Sequence, residues 1–262
     1  MQRTLDFVAS ATIEPASAAA RASRRQVGLA AAAIVFIGAL VYSNSFAGRF
    51  IFDDRTILED ASIRQLWPPW TAMFSPNNVA RPVIGLTFAI NYWISGLEVW
   101  SYHLLNLLIH LLAALALFGI VRRALLGERM RQHFGTAAAT LAASVALVWA
   151  VHPLQTQSVT YIIQRGESLM GLMYLATLYA VIRAAQSASK RWIIAAVIAC
   201  AVGMATKPVM ATAPIIALLF DVIFITGSLK TSLRRRWALY ATLGSTWIIL
   251  AATIAAPTPA DW

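Results

Sequence analysis

The chain has 262 residues, of which 59% are hydrophobic and only 12% charged, and it carries a net charge of +10. A soluble domain holds about 25% charged residues, so this composition excludes an ordinary soluble globular protein. With no soluble basic segment to carry the +10, it also argues against nucleic-acid binding.

Mean hydropathy is +0.67, and the apolar residues fall in continuous runs rather than in alternation. Lipid offers no hydrogen bonds to a backbone, so spans are helices or closed barrels. Ala, Leu and Ile dominate and the alternation of a barrel is absent, which predicts an all-α integral membrane protein.

In chain order, residues 1–25 are Ala/Ser-rich with scattered charge and are predicted to form a disordered cytoplasmic tail. The first apolar run, 27–46, reads as a retained signal anchor. Ser45-Phe46-Ala47 resembles a cleavage site, but the preceding stretch is long for a signal-peptide n-region. Further runs lie near 83–97, 101–121, 136–151, 166–184, 191–206, 208–226 and 237–256. The lone Cys200 sits within one of them and reads as a structural thiol.

Charge decides which runs cross. Lys and Arg concentrate in cytoplasmic loops. Four clusters stand out here: Arg21/Arg24/Arg25, Arg122/Arg123/Arg129/Arg131, Arg183/Lys190/Arg191 and Lys230/Arg234/Arg235/Arg236. All four share one side only if 83–97 does not cross. That run carries Asn91, Tyr92 and Trp93, which suit a headgroup zone. The expected layout is a transmembrane domain over 26–256 with about seven spans. A first outer loop, 47–98, holds the interfacial helix, and a short outer tail follows at 257–262. The N-terminus is then cytoplasmic and the C-terminus outside.

This layout sends Asp53-Asp54, Arg81-Pro82, His152-Pro153, Arg165-Gly166-Glu167 and Lys207-Pro208 to the outer ends of spans. Ionisable groups near membrane depth are costly and mark function. Two adjacent carboxylates can act as a general base with a partner, or as metal ligands; alone they are equally a loop cap. Arg165 and Glu167 read as an ion pair or as ligands. Lys207 reads as a snorkelling lysine or a phosphate-holding cation. His103, Asn106 and His110 share one helix face, as interhelical hydrogen bonding requires. Asp221 is expected to pair with a loop arginine.

These residues also form a recognisable series. Tyr42-Ser43-Asn44-Ser45-Phe46 with Phe50-Ile51-Phe52-Asp53-Asp54 resembles the first outer loop of GT-C glycosyltransferases. The nearest likeness is to the TMTC-type group, protein O-mannosyltransferase-like membrane proteins with tetratricopeptide repeats. Arg81-Pro82 through Asn91-Tyr92, Tyr102 to Asn106, His152 to Tyr161, Gln164 to Leu169 and Gly203 to Lys207 are similar to that group's successive segments, including those of bacterial members.

The resemblance implies transfer, with inversion, of a sugar from a polyprenyl-phosphate donor to a hydroxyl of a protein or peptide acceptor. The reaction would run at the outer face of a bacterial inner membrane. By motif, Asp53 is the catalytic base and Asp54 its partner. Lys207, Arg165, Arg81 and His152 would hold the donor phosphate, supported by Glu167, Asn91 and Tyr92. No cofactor is assigned, and a divalent metal at Asp53 and Asp54 is left open.

Two departures accompany the likeness. The group's pattern has Lys-Glu where this chain has Lys207-Pro208. Its members also continue into further spans and a downstream tetratricopeptide-repeat portion, so a fragment or one half of a two-part system is expected. A catalytically silent scaffold derived from such an enzyme is the alternative. A transporter ranks third, because charges crowd the ends of spans rather than mid-membrane.

Overall fold

The computed structural model describes residues 23–75, 81–187 and 189–255. The tail expected at 1–25 lies outside them up to residue 22, and the outer tail expected at 257–262 lies wholly outside them. The described residues are mostly helical, with no strand among them.

Eight helices frame the chain. They are α1 (Ser23–Ala47), α2 (Pro82–Ser95), α3 (Trp100–Leu125), α4 (Ala138–Ala150), α5 (Arg165–Ser187), α6 (Lys190–Met204), α7 (Pro208–Thr226) and α8 (Leu229–Ala255). Among the described residues, α1, α3, α5 with its preceding turn, α7 and α8 are long and apolar enough to cross a membrane. The bent pair formed by α4 and Pro153–Thr160 makes a sixth candidate. The remaining apolar run of the expected seven forms α6, whose 15 residues reach about 22 Å at 1.5 Å per residue. That is short of a ~30 Å hydrocarbon core.

Helix α2 has 14 residues, about 21 Å, and is likewise shorter than a hydrocarbon core. It starts at Pro82, where a missing N–H costs nothing, and stops at Gly96, whose φ of 58° most side chains resist. Pro153 likewise ends α4 and turns the chain by 56°. One expectation is corrected. Lys230 to Arg236, read as a loop, lies inside α8, which starts at Leu229 after Ser228 caps it. Asp221 draws Arg236 into the protein, bonding Nη1 at 2.8 and 2.7 Å, and Tyr240 donates to the same carboxylate at 2.7 Å. Arg236 leaves helical geometry there, at φ −130° and ψ 30°.

Helices α3 and α5 run parallel at the centre. Arg165 on α5 bonds Tyr102 on α3 at one end, and Arg123 on α3 bonds Gln186 on α5 at the other. Each bond joins residues 63 apart in sequence, so the register holds along the whole pair. From 165 to 186 a helix rises about 31 Å, one hydrocarbon thickness.

Against α3, α4 buries Ala142, Ala146 and Ala150 beside Ala114 and Phe118, with Ile34 of α1 completing the cluster. Small residues at that spacing let helices approach where lipid gives no hydrophobic drive. A second cluster joins α5 to α6, α7 and α8 and contains Cys200, which is buried and contacts Thr246 Oγ1 at 3.2 Å. The first loop folds over the α2 end of the bundle. Its Ile57, Ile63 and Ala72 pack with Ile84, Phe88 and Ala89 of α2 and with Tyr102 and Ile162.

Candidate functional site

The first loop leaves α1 beside α3. A Cβ on Gly48 would stand 2.8 Å from His103 Nε2, so only glycine lets the loop pass. Phe52 then takes φ 44° with its side chain 79% exposed. A bulky residue with positive φ is strained by about 1–3 kcal/mol and persists only where its surroundings fix it.

Asp54 does the fixing. It is fully buried and accepts the Ile51 amide on Oδ2 at 3.0 Å and the Ile163 amide on Oδ1 at 2.8 Å. Burial pushes its carboxyl upward, and the two amides oppose that rise; Asp53's charge adds to it and Arg165's charge opposes it. Asp53 is exposed, and its amide donates to Tyr161 Oη at 3.0 Å. Both aspartates therefore hang on the turn 159–163 that leads into α5.

That turn is held in its turn by Asn106 of α3. Asn106 Nδ2 donates to the carbonyls of Val159, Tyr161 and Ile162 at 3.4–3.5 Å, and its Oδ1 accepts Arg165 Nε at 2.7 Å. Arg165 is completely buried. Its Nη1 donates to Asn91 Oδ1 at 2.6 Å and Thr87 Oγ1 at 3.4 Å, and Nη2 donates to the Tyr102 carbonyl at 3.0 Å. Phe88 stacks 4.6 Å from the guanidinium. Every nitrogen of this side chain, which the resemblance assigned to the donor phosphate, is bonded to a protein partner. Arg165 locks α2, α3 and α5 together.

Two residues further along α5, Glu167 pairs with Lys207, which is partly buried between α6 and α7. The carboxylate that the sequence lacks beside the lysine, at Pro208, is thus delivered by another helix. Asp53, Asp54, Glu167 and Lys207 all lie at the N-terminal end of α5.

The other expected residues are placed differently. Asn91 is buried, bonded to Arg165 and donating to Ser101 Oγ at 3.0 Å. Tyr92 lies under Arg64 at 4.6 Å. Arg81 stands exposed ahead of α2, where its carbonyl accepts the Ile84 amide; among the described residues no hydrogen bond or ion pair joins it to the carboxylates. His152 sits at the α4 bend, its Nδ1 accepting the Leu154 amide at 3.2 Å. It lines an open groove of about 560 Å³ with Val148, Trp149 and Leu154. His110 meets the Ala150 carbonyl at 2.8 Å and stacks on Trp149, an interhelical bond as expected.

A metal does not fit the aspartate pair as it stands, since both Asp54 oxygens face amide hydrogens. No group of three His, Cys, Asp or Glu gathers among the described residues.

Tyr161 and the bridging work of Asn106 were missed by sequence reasoning. Both lie in quoted motifs, but nothing in one dimension says that residues 55 apart share a hydrogen bond.

The fold and this end of the bundle define a multi-pass, all-α membrane protein of the GT-C type. More particularly, the chain belongs to the dolichyl-phosphate-mannose-protein mannosyltransferase family, which residues 76–255 match. It is similar to the Xenopus laevis protein O-mannosyl-transferase tmtc2, 30% identical over an alignment of 154 residues that covers 54% of this chain and 17% of that protein. It also matches Mus musculus TMTC4, 30% identical over 53% of the chain and 21% of the relative. For Homo sapiens TMTC4 the figures are 26% identity over 72% of the chain and 28% of the relative. The chain thus spans less than a third of each of these relatives. No solved structure matches it.

Proposed function

We propose that this chain forms the donor end of a protein O-mannosyltransferase site. A polyprenyl-phosphate-linked hexose is brought to Asp53 on the outer side of the membrane and passed, with inversion, to a hydroxyl of a protein or peptide acceptor. The observation that supports this reading is the placement of an exposed carboxylate, Asp53, on the turn that leads into α5 and of Lys207 on that helix's first turn, both from sequence-distant loops.

A hydroxyl nucleophile needs a base within hydrogen-bond reach. Asp53 is exposed while Asp54 is buried beneath it, so Asp53 takes the proton and Asp54 holds the loop. A phosphate leaving group needs fixed positive charge aimed at it. Lys207 supplies that charge, oriented by Glu167, with Arg81 and His152 as further cations around the mouth. Arg165 acts through structure alone. Names of the relatives support a protein acceptor and mannose.

The test is reconstitution in membranes with a polyprenyl-phosphate mannose, a hydroxyl-bearing peptide and the downstream portion typical of the relatives. Removing a general base costs on the order of 10²–10⁴ in rate, so Asp53→Asn should lose transfer by that factor while inserting normally. Undiminished transfer in Asp53→Asn would refute the role of this residue. A wild-type protein silent under all these conditions would favour the scaffold reading.

A further inference from the structure

The end of α3 and α5 remote from the aspartates is built from cations that the transfer site does not use. The ion pairs found among the described residues are Lys207–Glu167 and Arg236–Asp221, so Arg122, Arg123 and Arg183 face no carboxylate there. They are not loose surface charges. Arg183 stacks 4.3 Å over Trp192 and donates to Tyr179 Oη at 3.3 Å. Arg123 lies 5.5 Å over the other ring, that of Tyr179, and donates to Gln186 Oε1 at 2.5 Å. Tyr179 itself fills the space where α3 has no side chain, since a Cβ on Gly119 would stand 2.6 Å from its ring. Arg122 adds a buried Nε that has no hydrogen-bond partner among the described residues.

Stacked guanidiniums are pre-oriented, and their remaining N–H groups form forks that match phosphate oxygens. The cluster's depth identifies what it would meet. Arg183 lies about 27 Å along α5 from the Arg165 knot, and Arg122 and Arg123 lie about 30 Å along α3 from Tyr102, close to one hydrocarbon thickness, which sets the cluster at the headgroup level of the opposite leaflet. Trp192 and Tyr179 have the amphipathic rings of that zone. We infer that Arg122, Arg123 and Arg183, framed by Tyr179 and Trp192, form a binding site for the phosphate headgroup of an anionic phospholipid. Basic pockets between membrane helices are the usual form of such sites. The inference does not depend on sugar transfer.

The test uses the purified chain in phosphatidylcholine nanodiscs with increasing phosphatidylglycerol. Lipid retention is read by native mass spectrometry and stabilisation by thermal unfolding. Wild type should retain phosphatidylglycerol over phosphatidylcholine. Each cation near an anionic surface contributes roughly fivefold, so R122Q/R123Q/R183Q should weaken retention on the order of a hundredfold.

The control K230Q/R234Q/R235Q removes equal charge elsewhere and should leave retention nearly unchanged. Equal loss in both triples would reduce the cluster to general surface charge and overturn the site. Full competition by inorganic phosphate would also overturn it, by making the ligand a free anion. Should the glutamine triple fail to fold, R123Q alone, on a half-exposed side chain, must still show its fivefold loss.

Discussion

Asp53 and Asp54 are neighbours in the chain with opposite environments. The 3-10 turn Phe52–Asp54 points one carboxylate into the protein and leaves the other outside. Asp54 serves two amides from separate segments, so its removal orphans both. A buried unsatisfied donor costs about 1–3 kcal/mol. Asp54→Ala should therefore lower unfolding stability in detergent by roughly that amount or more, with increased hydrogen exchange at Ile51 and Ile163. Unchanged exchange at Ile163 would mean that the loop does not rest on this carboxylate. The adjacency of the pair was plain in the sequence. Which member is the cap was not, because the choice depends on Ile163 approaching from 109 residues away.

Among the elements, the α3–α5 pair sets the site. Asn106 on α3 has two faces, one toward the 159–163 turn and one toward Arg165. Asn91 on α2 touches Arg165 but not that turn. The two substitutions Asn106→Ala and Asn91→Ala each leave Arg165 one acceptor short, so their stability losses should be similar, about 1–3 kcal/mol. Their kinetics should differ. Asn106→Ala frees the 159–163 turn to which Asp53 is bonded through Tyr161 and should lower kcat tenfold or more, on the scale by which misplaced catalytic groups lose rate. Asn91→Ala should leave kcat within about threefold of wild type. Equal kcat losses in steady-state assays would show that the knot is packing alone. Helix periodicity put His103, Asn106 and His110 on one face correctly. It was silent on the turn that Asn106 meets, because 3-10 segments such as Ile162–Gln164 have no long hydrophobic signature.

At the scale of the whole molecule, the question is sidedness. The two latches of α3 and α5, Arg165–Tyr102 and Arg123–Gln186, lie at opposite ends of the pair. The arginine-rich segments accompany the second. Single cysteines placed at Ser62 and Ser158 should react with an impermeant thiol reagent from outside intact cells, and one at Ser187 should react only after permeabilisation. Labelling of all three from one side would defeat the layout. Cys200 is buried, so its background labelling should be low.

Composition and hydrophobic run length determined the class by themselves: lipid leaves a backbone no partner but its own helix, and that constraint is local enough to be read along the chain. Motif order likewise pointed to the family that residues 76–255 then matched. Only the tertiary structure decided what each charged residue does. It gave every nitrogen of Arg165 a protein partner, gave Lys207 the carboxylate of Glu167, and chose Arg236, inside α8, as the partner of Asp221. Each outcome turns on which groups desolvation forces into contact. That is a matter of distance between helices far apart in sequence, and no periodicity within a single helix encodes it.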